Sequence, residues 1–216
     1  MSVTSEVKKI TIYWDSSYSM NEKVVDKELV FLEAYFKSIK NAQVRLITFS
    51  NSIDVNTEFS IINGNWGLLK KQLISTRYEG IAFYGLLDPK FDSDVNLLFT
   101  DGNGVFDKLS LKNHTTTYII STQSNSNNIV LGQESRKAKG EHINLNQYAI
   151  KNALSILGIE AVGKIKYKAK KTKKALFKGV FSGIISDSKE FLKGVSVRVK
   201  YSKNGVVTGS NGMFKI

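Results

Sequence analysis

The feature that most constrains the fold is an alternation of strand-like and helix-like segments between residues 7 and 157. Apolar side chains recur at every second position from Ile10 to Trp14, which predicts a β-strand. From Val25 to Ile39 they recur at every third or fourth position, which predicts an amphipathic α-helix. Strands that alternate with helices favour a mostly parallel sheet covered on both faces, so we expect a doubly wound α/β domain.

The same patterns locate the remaining elements of this domain. Strands are expected at residues 7–14, 44–49, 54–61, 95–100 and 116–121. Helices are expected at residues 22–39, 66–74, 82–87 and 146–157, with Gly158 ending the last one. The polar residues 121–128 are expected to form a loop.

The charge of the chain is concentrated near its end. The 216 residues carry a net charge of +12, yet residues 1–163 contain 17 basic and 17 acidic side chains. Residues 164–216 contain 14 basic and 2 acidic side chains, and eight of the lysines lie in residues 164–178. Such a break indicates a domain boundary, so we expect domains at 1–160 and 179–216, joined by a basic linker at 161–178.

Composition excludes several classes of protein. A hydrophobic fraction of 42% and a charged fraction of 23% are typical of a globular chain. The sequence contains no cysteine, which excludes disulfides and thiolate metal sites. It also contains no apolar run of about 18 residues, and its first residues lack the apolar stretch of a signal peptide.

An oxygen-rich segment, Asp15-Ser-Ser-Tyr-Ser19, directly follows the first predicted strand. Asp15, Ser17 and Ser19 could cap the next helix, since Ser and Asp are favoured at helix N-termini and Ser19 with Glu22 forms a capping box. Alternatively, their oxygens could bind a hard cation such as Mg²⁺. A second carboxylate, Asp101, ends the apolar strand "LLFT" and favours the cation site, because the carboxyl ends of parallel strands meet at one edge of a sheet.

These two motifs resemble the von Willebrand factor A family, over roughly residues 7–160. The Asp-x-Ser-x-Ser loop is similar to that family's metal-ion-dependent adhesion site, and "FTDG" at residues 99–102 is similar to its second acidic strand end. The resemblance implies that Asp15, Ser17, Ser19 and Asp101 hold Mg²⁺, with Mn²⁺ or Ca²⁺ as alternatives. It further implies a non-enzymatic module whose protein partner supplies a carboxylate to the metal, as in cell adhesion.

One position departs from the family pattern. Where the family has a threonine ligand in a middle loop, this chain has Ile81 in the stretch "YEGIAFYG", so one oxygen ligand is missing. A structural domain with a degenerate metal site therefore stays open as an alternative. Around the expected site, Tyr18, Phe83 and Asn103 are predicted to contact the partner, although simple packing of Tyr18 is also open.

The C-terminal residues resemble a second family. Val195, Val197 and Val199 alternate with polar residues, and Asn-Gly pairs at 204–205 and 211–212 indicate turns. A second set of residues is similar to the beginning of a carboxypeptidase regulatory-like domain, a small β-sandwich found in TonB-dependent outer-membrane receptors: Gly183, Asp187, Leu192, "GVSVRVK" at 194–200, Gly205, Thr208 and "NGMFKI" at 211–216. This resemblance implies a partial β-sandwich within a longer bacterial envelope protein, located in the periplasm or at the cell surface; a cytoplasmic protein is the alternative.

Two further readings concern the lysines and histidines. The lysine-rich linker could bind nucleic acid or an anionic membrane surface, because clustered positive charge attracts phosphates. His114 and His142 are expected to be polar surface residues. No residue pattern pairs a nucleophile with a base, and we therefore expect no enzymatic activity.

Overall fold

The computed structural model describes residues 7–22, 25–87, 92–104, 107–111, 115–163, 165, 167, 182–187, 190–198 and 205–215. The chain divides into two compact units, Met1–Ala169 and Lys170–Ile216. His114 and most of the lysine-rich linker lie outside the described residues. No helix of the described residues is both long and apolar enough to span a membrane.

The first unit is built on one six-stranded sheet. Its strands are β1 (Lys8–Asp15), β2 (Ala42–Phe49), β3 (Ile53–Ile61), β4 (Val95–Phe99), β5 (Thr117–Ser121) and β6 (His142–Asn144). They lie in the order β3-β2-β1-β4-β5-β6, and all neighbours are parallel except β2 and β3. This is the doubly wound, mostly parallel α/β fold expected from the sequence.

Helices cover both faces of this sheet. They are α1 (Val25–Ile39), α2 (Gly67–Ile74), α3 (Asn128–Lys137) and α4 (Ile150–Ile156), and 3₁₀ helices span Tyr18–Glu22 and Tyr84–Leu86. One face of the sheet packs through residues such as Trp14 and Phe99 against α1, α2 and α4. The opposite face packs through Tyr13 and Leu98 against α3 and the second 3₁₀ helix. Since successive residues of a strand point to opposite faces, neighbouring residues such as Tyr13 and Trp14 pack against helices on opposite sides of the sheet.

Several predicted bounds are wrong. The predicted helix 22–39 begins only at Val25, after a 3₁₀ helix, because Tyr18–Glu22 is held by tight turns such as the bond from the Met20 amide to the Ser17 carbonyl. Ser19 lies inside this 3₁₀ helix and so does not cap α1. The predicted helix 82–87 is only a 3₁₀ helix at Tyr84–Leu86, and the predicted helix 146–157 shortens to Ile150–Ile156.

Helix α3 and strand β6 were not predicted. The expected loop at 121–128 ends where Asn127 accepts a hydrogen bond from the Val130 amide and so caps α3. Leu131 is the only side chain of α3 that is both apolar and buried, so this helix has almost no apolar periodicity. Strand β6 is only three residues long, too short for a period to be recognised.

In the described part of the second unit, short strands form two antiparallel pairs. These are β7 (Ser182–Ile184) with β10 (Met213–Lys215), and β8 (Ser196–Arg198) with β9 (Gly205–Val207). Thr208 is buried, accepts a hydrogen bond from the Val195 amide at 2.9 Å and donates one to the Leu192 carbonyl at 2.6 Å. Within this unit a threonine hydroxyl therefore joins two chain segments.

We expect Gly140→Ala to destabilise the first unit by about 3 kcal/mol, because the new Cβ would lie 2.0 Å from the Thr117 carbonyl oxygen and would push β5 from α3. Urea-induced unfolding followed by circular dichroism measures the loss. Gly158→Ala is the matched control: a Cβ there meets no atom within 4 Å, and only the φ of +69° opposes it, at about 1 kcal/mol. Equal losses in the two variants would contradict the close approach at Gly140.

Candidate metal centre

The candidate site lies where the strand order changes direction. From β1 the chain runs outward through β2 to β3, and then returns to β4 on the other side of β1. Trp14 and Phe99 are register neighbours in these two parallel strands, so Asp15 and Asp101 follow them at the same edge of the sheet. Crevices at the carboxyl ends of strands at such a switch point are common ligand sites in doubly wound folds.

Asp15 is fully buried, and both of its carboxylate oxygens accept hydrogen bonds. Oδ1 accepts from the Ser17 amide at 2.9 Å, and Oδ2 accepts from the Thr100 hydroxyl at 2.6 Å. Burial raises the pKa of the Asp15 carboxyl above its ordinary value, whereas the bonds from Ser17 and Thr100 lower it. The negative charge of Asp101 adds to the rise of the Asp15 pKa.

Asp101 is also fully buried, but only one of its oxygens has a partner. Oδ1 accepts a hydrogen bond from the Asn103 amide at 2.9 Å. Oδ2 is buried and has no hydrogen-bond partner within the described part of the chain. A buried carboxylate oxygen without a donor is costly, because it has lost its water and gained nothing in return. A cation or an ordered water at this oxygen would remove that cost.

The two serines of the loop lie beside each other. The hydroxyl oxygens of Ser17 and Ser19 are 3.3 Å apart, Ser17 is buried, and Ser19 is half-buried. The tight turn of the 3₁₀ helix Tyr18–Glu22 brings the side chains at positions 17 and 19 together. The structure thus places all four predicted ligands, Asp15, Ser17, Ser19 and Asp101, at one edge of the sheet.

Two residues of this site were not predicted. Thr100 has one hydroxyl proton, which it donates to the Asp15 carboxylate, so its oxygen must accept the bond that joins it to the Tyr84 hydroxyl at 3.0 Å. The same oxygen accepts a weaker bond from the Gly102 amide at 3.3 Å. Tyr84 therefore donates to Thr100, which donates to Asp15, and this chain fixes the orientation of the Asp15 carboxylate.

The middle loop lies against the Asp-x-Ser-x-Ser segment. The Tyr18 amide donates to the Gly80 carbonyl at 3.0 Å, and the Glu79 amide donates to the Ser16 carbonyl at 2.9 Å. Ile81 follows immediately, with its amide bonded to Asn51 Oδ1 at 2.8 Å and its side chain 37% exposed. The loop is thus in contact with the site, but position 81 contributes no side-chain oxygen.

The predicted partner-contacting residues lie around this edge. Tyr18 is 70% exposed and Phe83 is 43% exposed, and both belong to segments that form the loops just described. Asn103 is half-buried, and its side-chain nitrogen donates to the Asn125 carbonyl at 3.1 Å, which ties it to the loop before α3. The exposure of Tyr18 excludes the alternative that it packs in the core.

The donor set suits a hard cation. Two carboxylates and two hydroxyls supply oxygen ligands only, which is the chemistry that Mg²⁺, Mn²⁺ and Ca²⁺ prefer. Among the described residues there is no group of three or more His, Cys, Asp or Glu side chains that could hold a metal. The unpartnered Asp101 Oδ2 is the observation that fits a cation best.

The position of His142 differs from the expectation that it lies at the surface. It was expected at the surface, but it is half-buried, and its Nε2 lies 2.9 Å from the Ser121 hydroxyl oxygen. Burial lowers the pKa of His142 to about 4. Although a serine and a histidine are paired, Ser121 is fully buried and inaccessible to a substrate, so we assign the pair to holding β5 against β6.

Comparisons with known proteins concern the fold. No family model and no curated protein matches the sequence. Similar solved structures include an aerotolerance-related membrane protein from Bacteroides fragilis, which is 12% identical with a TM-score of 0.47, over 70% of this chain and 96% of that chain.

Two further similar structures are von Willebrand A proteins by name. The ArnB paralog VWA2 from Sulfolobus acidocaldarius is 13% identical with a TM-score of 0.43, over 69% of this chain and 43% of that one. A von Willebrand factor type A protein from Catenulispora acidiphila is 13% identical with a TM-score of 0.48, over 70% of this chain and 41% of that one. At these identities the likenesses concern the fold alone.

We expect Asp101→Asn to stabilise the metal-free protein by about 1 kcal/mol at pH 7, because it removes one of two neighbouring buried negative charges. Urea-induced unfolding in the presence of a chelator measures the change. Asp92→Asn is the control, since that exposed aspartate pairs with Lys9 at the opposite edge of the sheet. A loss of stability in Asp101→Asn would show that the Asp101 charge is already compensated without a metal.

Proposed function

We propose that the first unit is a non-enzymatic binding module of the von Willebrand A type, which uses a divalent cation to recognise an acidic side chain of a protein partner. The observation that carries the proposal is the buried Oδ2 of Asp101, which has no hydrogen-bond partner among the described residues and lies at the same edge of the sheet as Asp15 and the loop serines. Mg²⁺ is the expected ion, with Mn²⁺ or Ca²⁺ as alternatives.

Each residue of the site has a distinct part in this proposal. Asp101 Oδ2 and the hydroxyls of Ser17 and Ser19 are the oxygens available to a cation. Both oxygens of Asp15 already accept hydrogen bonds, so Asp15 acts through a remaining lone pair or through water, and its charge adds to the attraction. A divalent cation bound there supplies an open coordination position for a carboxylate oxygen.

The surroundings of the site favour a protein partner. Tyr18, Ile81 and Phe83 expose apolar surface on the two loops that the Tyr18–Gly80 hydrogen bond joins. Exposed aromatic side chains next to a polar centre are typical of protein interfaces. We therefore propose that the partner presents an acidic side chain next to apolar residues, and that Tyr18 and Phe83 contact the latter while Asn103 contacts polar groups.

The identity of the second unit and the location of the protein are proposed from a resemblance of sequence. We propose that the second unit belongs to a carboxypeptidase regulatory-like β-sandwich, and that the protein acts at a bacterial envelope. Both rest on the resemblance of residues 183–216 to that family. The four short antiparallel strands of the unit are compatible with a β-sandwich, and they do not distinguish this family from other small β domains.

Thermal unfolding in Mg²⁺ and in chelator tests the metal site. At a free Mg²⁺ concentration ten times its Kd, binding to the native state alone adds about 1.4 kcal/mol, which corresponds to a rise in Tm of about 3–6 °C. We expect Asp15→Ala to abolish this rise and Asp92→Ala, its control at the opposite edge, to retain it. The proposal is wrong if the Tm of the unaltered protein is the same in Mg²⁺, Mn²⁺, Ca²⁺ and chelator.

Replacing Ile81 tests the role of the middle loop. We expect Ile81→Thr to raise the affinity for Mg²⁺ about tenfold, because it restores a hydroxyl oxygen next to the site and cation affinity follows the number of oxygen ligands. Isothermal titration calorimetry gives the two dissociation constants. Ile81→Val is the matched control, since valine has nearly the shape of threonine without its oxygen. A gain in both variants would point to loop packing instead of ligation.

A further inference from the structure

The two edges of the six-stranded sheet are built differently. One edge strand, β6, has only three residues, whereas the other, β3, has nine and is the longest strand of the described chain. A long edge strand presents a row of unpaired backbone N–H and C=O groups to which another strand can pair, so proteins usually shorten, cover or charge such edges. The short β6 follows this rule, and β3 does not.

The strand β3 lies open to another strand. Its side chains from Ile53 to Ser60 are exposed or half-exposed, and among the described residues it pairs with β2 alone. It contains no lysine, arginine or proline, the residues that commonly protect an edge. A register shift opposite Thr48 and Phe49 lies near the start of the strand and leaves residues 55–61 regular.

Both acidic side chains of β3 are already bonded within the chain. Glu58 forms a salt bridge with Arg45 of β2. Asp54 accepts hydrogen bonds from the hydroxyls of Ser16 and Ser52 at 3.2 and 3.3 Å. Their charges are therefore partly compensated before any strand docks, but a like charge placed directly opposite either of them would still oppose docking.

An antiparallel pair of two β3 strands is self-complementary in one register. When Thr57, the middle residue of the strand, lies opposite Thr57 of a second copy, the two strands overlap over their full length. Asn56 then lies opposite Glu58, and Val55 lies opposite Phe59, on both sides of the centre. Side chains that face each other in this way are about 4.5–5.5 Å apart, and threonine pairs and pairs of an aromatic with a β-branched residue are favourable.

The neighbouring registers are opposed by charge. Moving the centre of the pair from Thr57 to Asn56 places Asp54 opposite Glu58, and moving it to Glu58 places that glutamate opposite itself. Like charges directly opposite each other destabilise a sheet. In the register centred on Thr57, by contrast, the exposed amide of Asn56 faces the Glu58 carboxylate and can donate a hydrogen bond to it.

We propose that β3 is a dimerisation edge, and that it pairs antiparallel with β3 of a second copy of this chain in the register centred on Thr57. The two six-stranded sheets then form one continuous sheet. Backbone hydrogen bonds join the two β3 strands, and Val55 and Phe59 add apolar contacts on the face that α1 and α2 cover. A strand of another protein would use the same backbone groups, but the self-complementary register favours a second copy.

The symmetry of this pair determines where its two candidate cation sites lie. Because the paired β3 strands are antiparallel, β1 and β4 of the two copies also run in opposite directions, and their carboxyl ends lie at opposite edges of the joined sheet. A dimer would therefore join two acidic partners that approach from opposite sides. This consequence rests on the proposed function, whereas the dimer itself does not.

Sedimentation equilibrium of the full chain over a range of concentrations measures the association. We expect a monomer–dimer equilibrium that is the same in Mg²⁺ and in chelator. A dimer in a protein whose Tm does not respond to metal would support this inference while the proposed function failed. A metal-dependent Tm in a protein that stays monomeric would support the proposed function and overturn the dimer.

The position of Thr57 at the centre of the pair allows a charge-rescue test. Thr57→Lys and Thr57→Glu each place two like charges directly opposite each other, so we expect each variant alone to dimerise about tenfold more weakly. An equimolar mixture of the two variants places opposite charges there and should restore the association. Since Thr57 is exposed, neither change disturbs the core.

Gln133→Lys is the control for the added charge. Gln133 is exposed on α3, which lies beside β5 and β6 at the other end of the sheet, so this variant should dimerise as the unaltered protein does. Rescue in the mixture supports the register, because only a pair centred on Thr57 brings that position of one copy against the same position of the other.

Three results would overturn the inference. Dimers that neither Thr57 variant weakens would show that the copies associate through another surface. Weakening by both variants without rescue in the mixture would contradict the register. A chain that stays monomeric up to about 200 µM would leave β3 to a strand of another protein and overturn the dimer itself.

Discussion

Two carboxylates that are buried at the same edge of the sheet constrain how the surrounding loops of the first unit are built. Asp15 ends β1, Asp101 lies two residues beyond the end of the neighbouring parallel strand β4, and each accepts a hydrogen bond from a backbone amide of its own loop. Neighbouring buried charges of the same sign oppose folding, so the surrounding residues must stabilise them. The amides of Ser17 and Asn103 and the hydroxyl of Thr100 meet part of this requirement by donating hydrogen bonds to the two carboxylates.

The sequence shows elements whose pattern is local, and it does not show contacts between residues that are far apart along the chain. Strands β1 to β5 and helix α1 were predictable because their apolar residues follow periods of two or 3.6 along the chain. The positions of Asp15 and Asp101 at the edge of the sheet were predictable because each comes at or just after the end of such a strand. Helix α3 was not, because only Leu131 of it is both apolar and buried. The predicted α-helix was expected to begin at residue 22, but a 3₁₀ helix spans Tyr18–Glu22 and α1 begins at Val25. The cause is a tight turn in which the Met20 amide bonds to the Ser17 carbonyl.

The unpredicted parts of the site have a common cause. Thr100 reaches Asp15 across 85 positions of sequence, and Tyr84 reaches Thr100 through the packing of a loop that has no regular period. The Ser121–His142 contact likewise joins two strands that only the sheet order brings together. A threonine before the acidic strand end was visible in "FTDG", but its partner could be recognised only once the order of β1 and β4 was known.

Tyr84 connects the face of the sheet to the site at its edge. Its buried ring lies beside that of Phe49, with the ring centroids 6.1 Å apart, and its hydroxyl begins the hydrogen-bond chain that ends on Asp15. The packing of an aromatic ring thereby sets the direction in which a carboxylate two hydrogen bonds away is held.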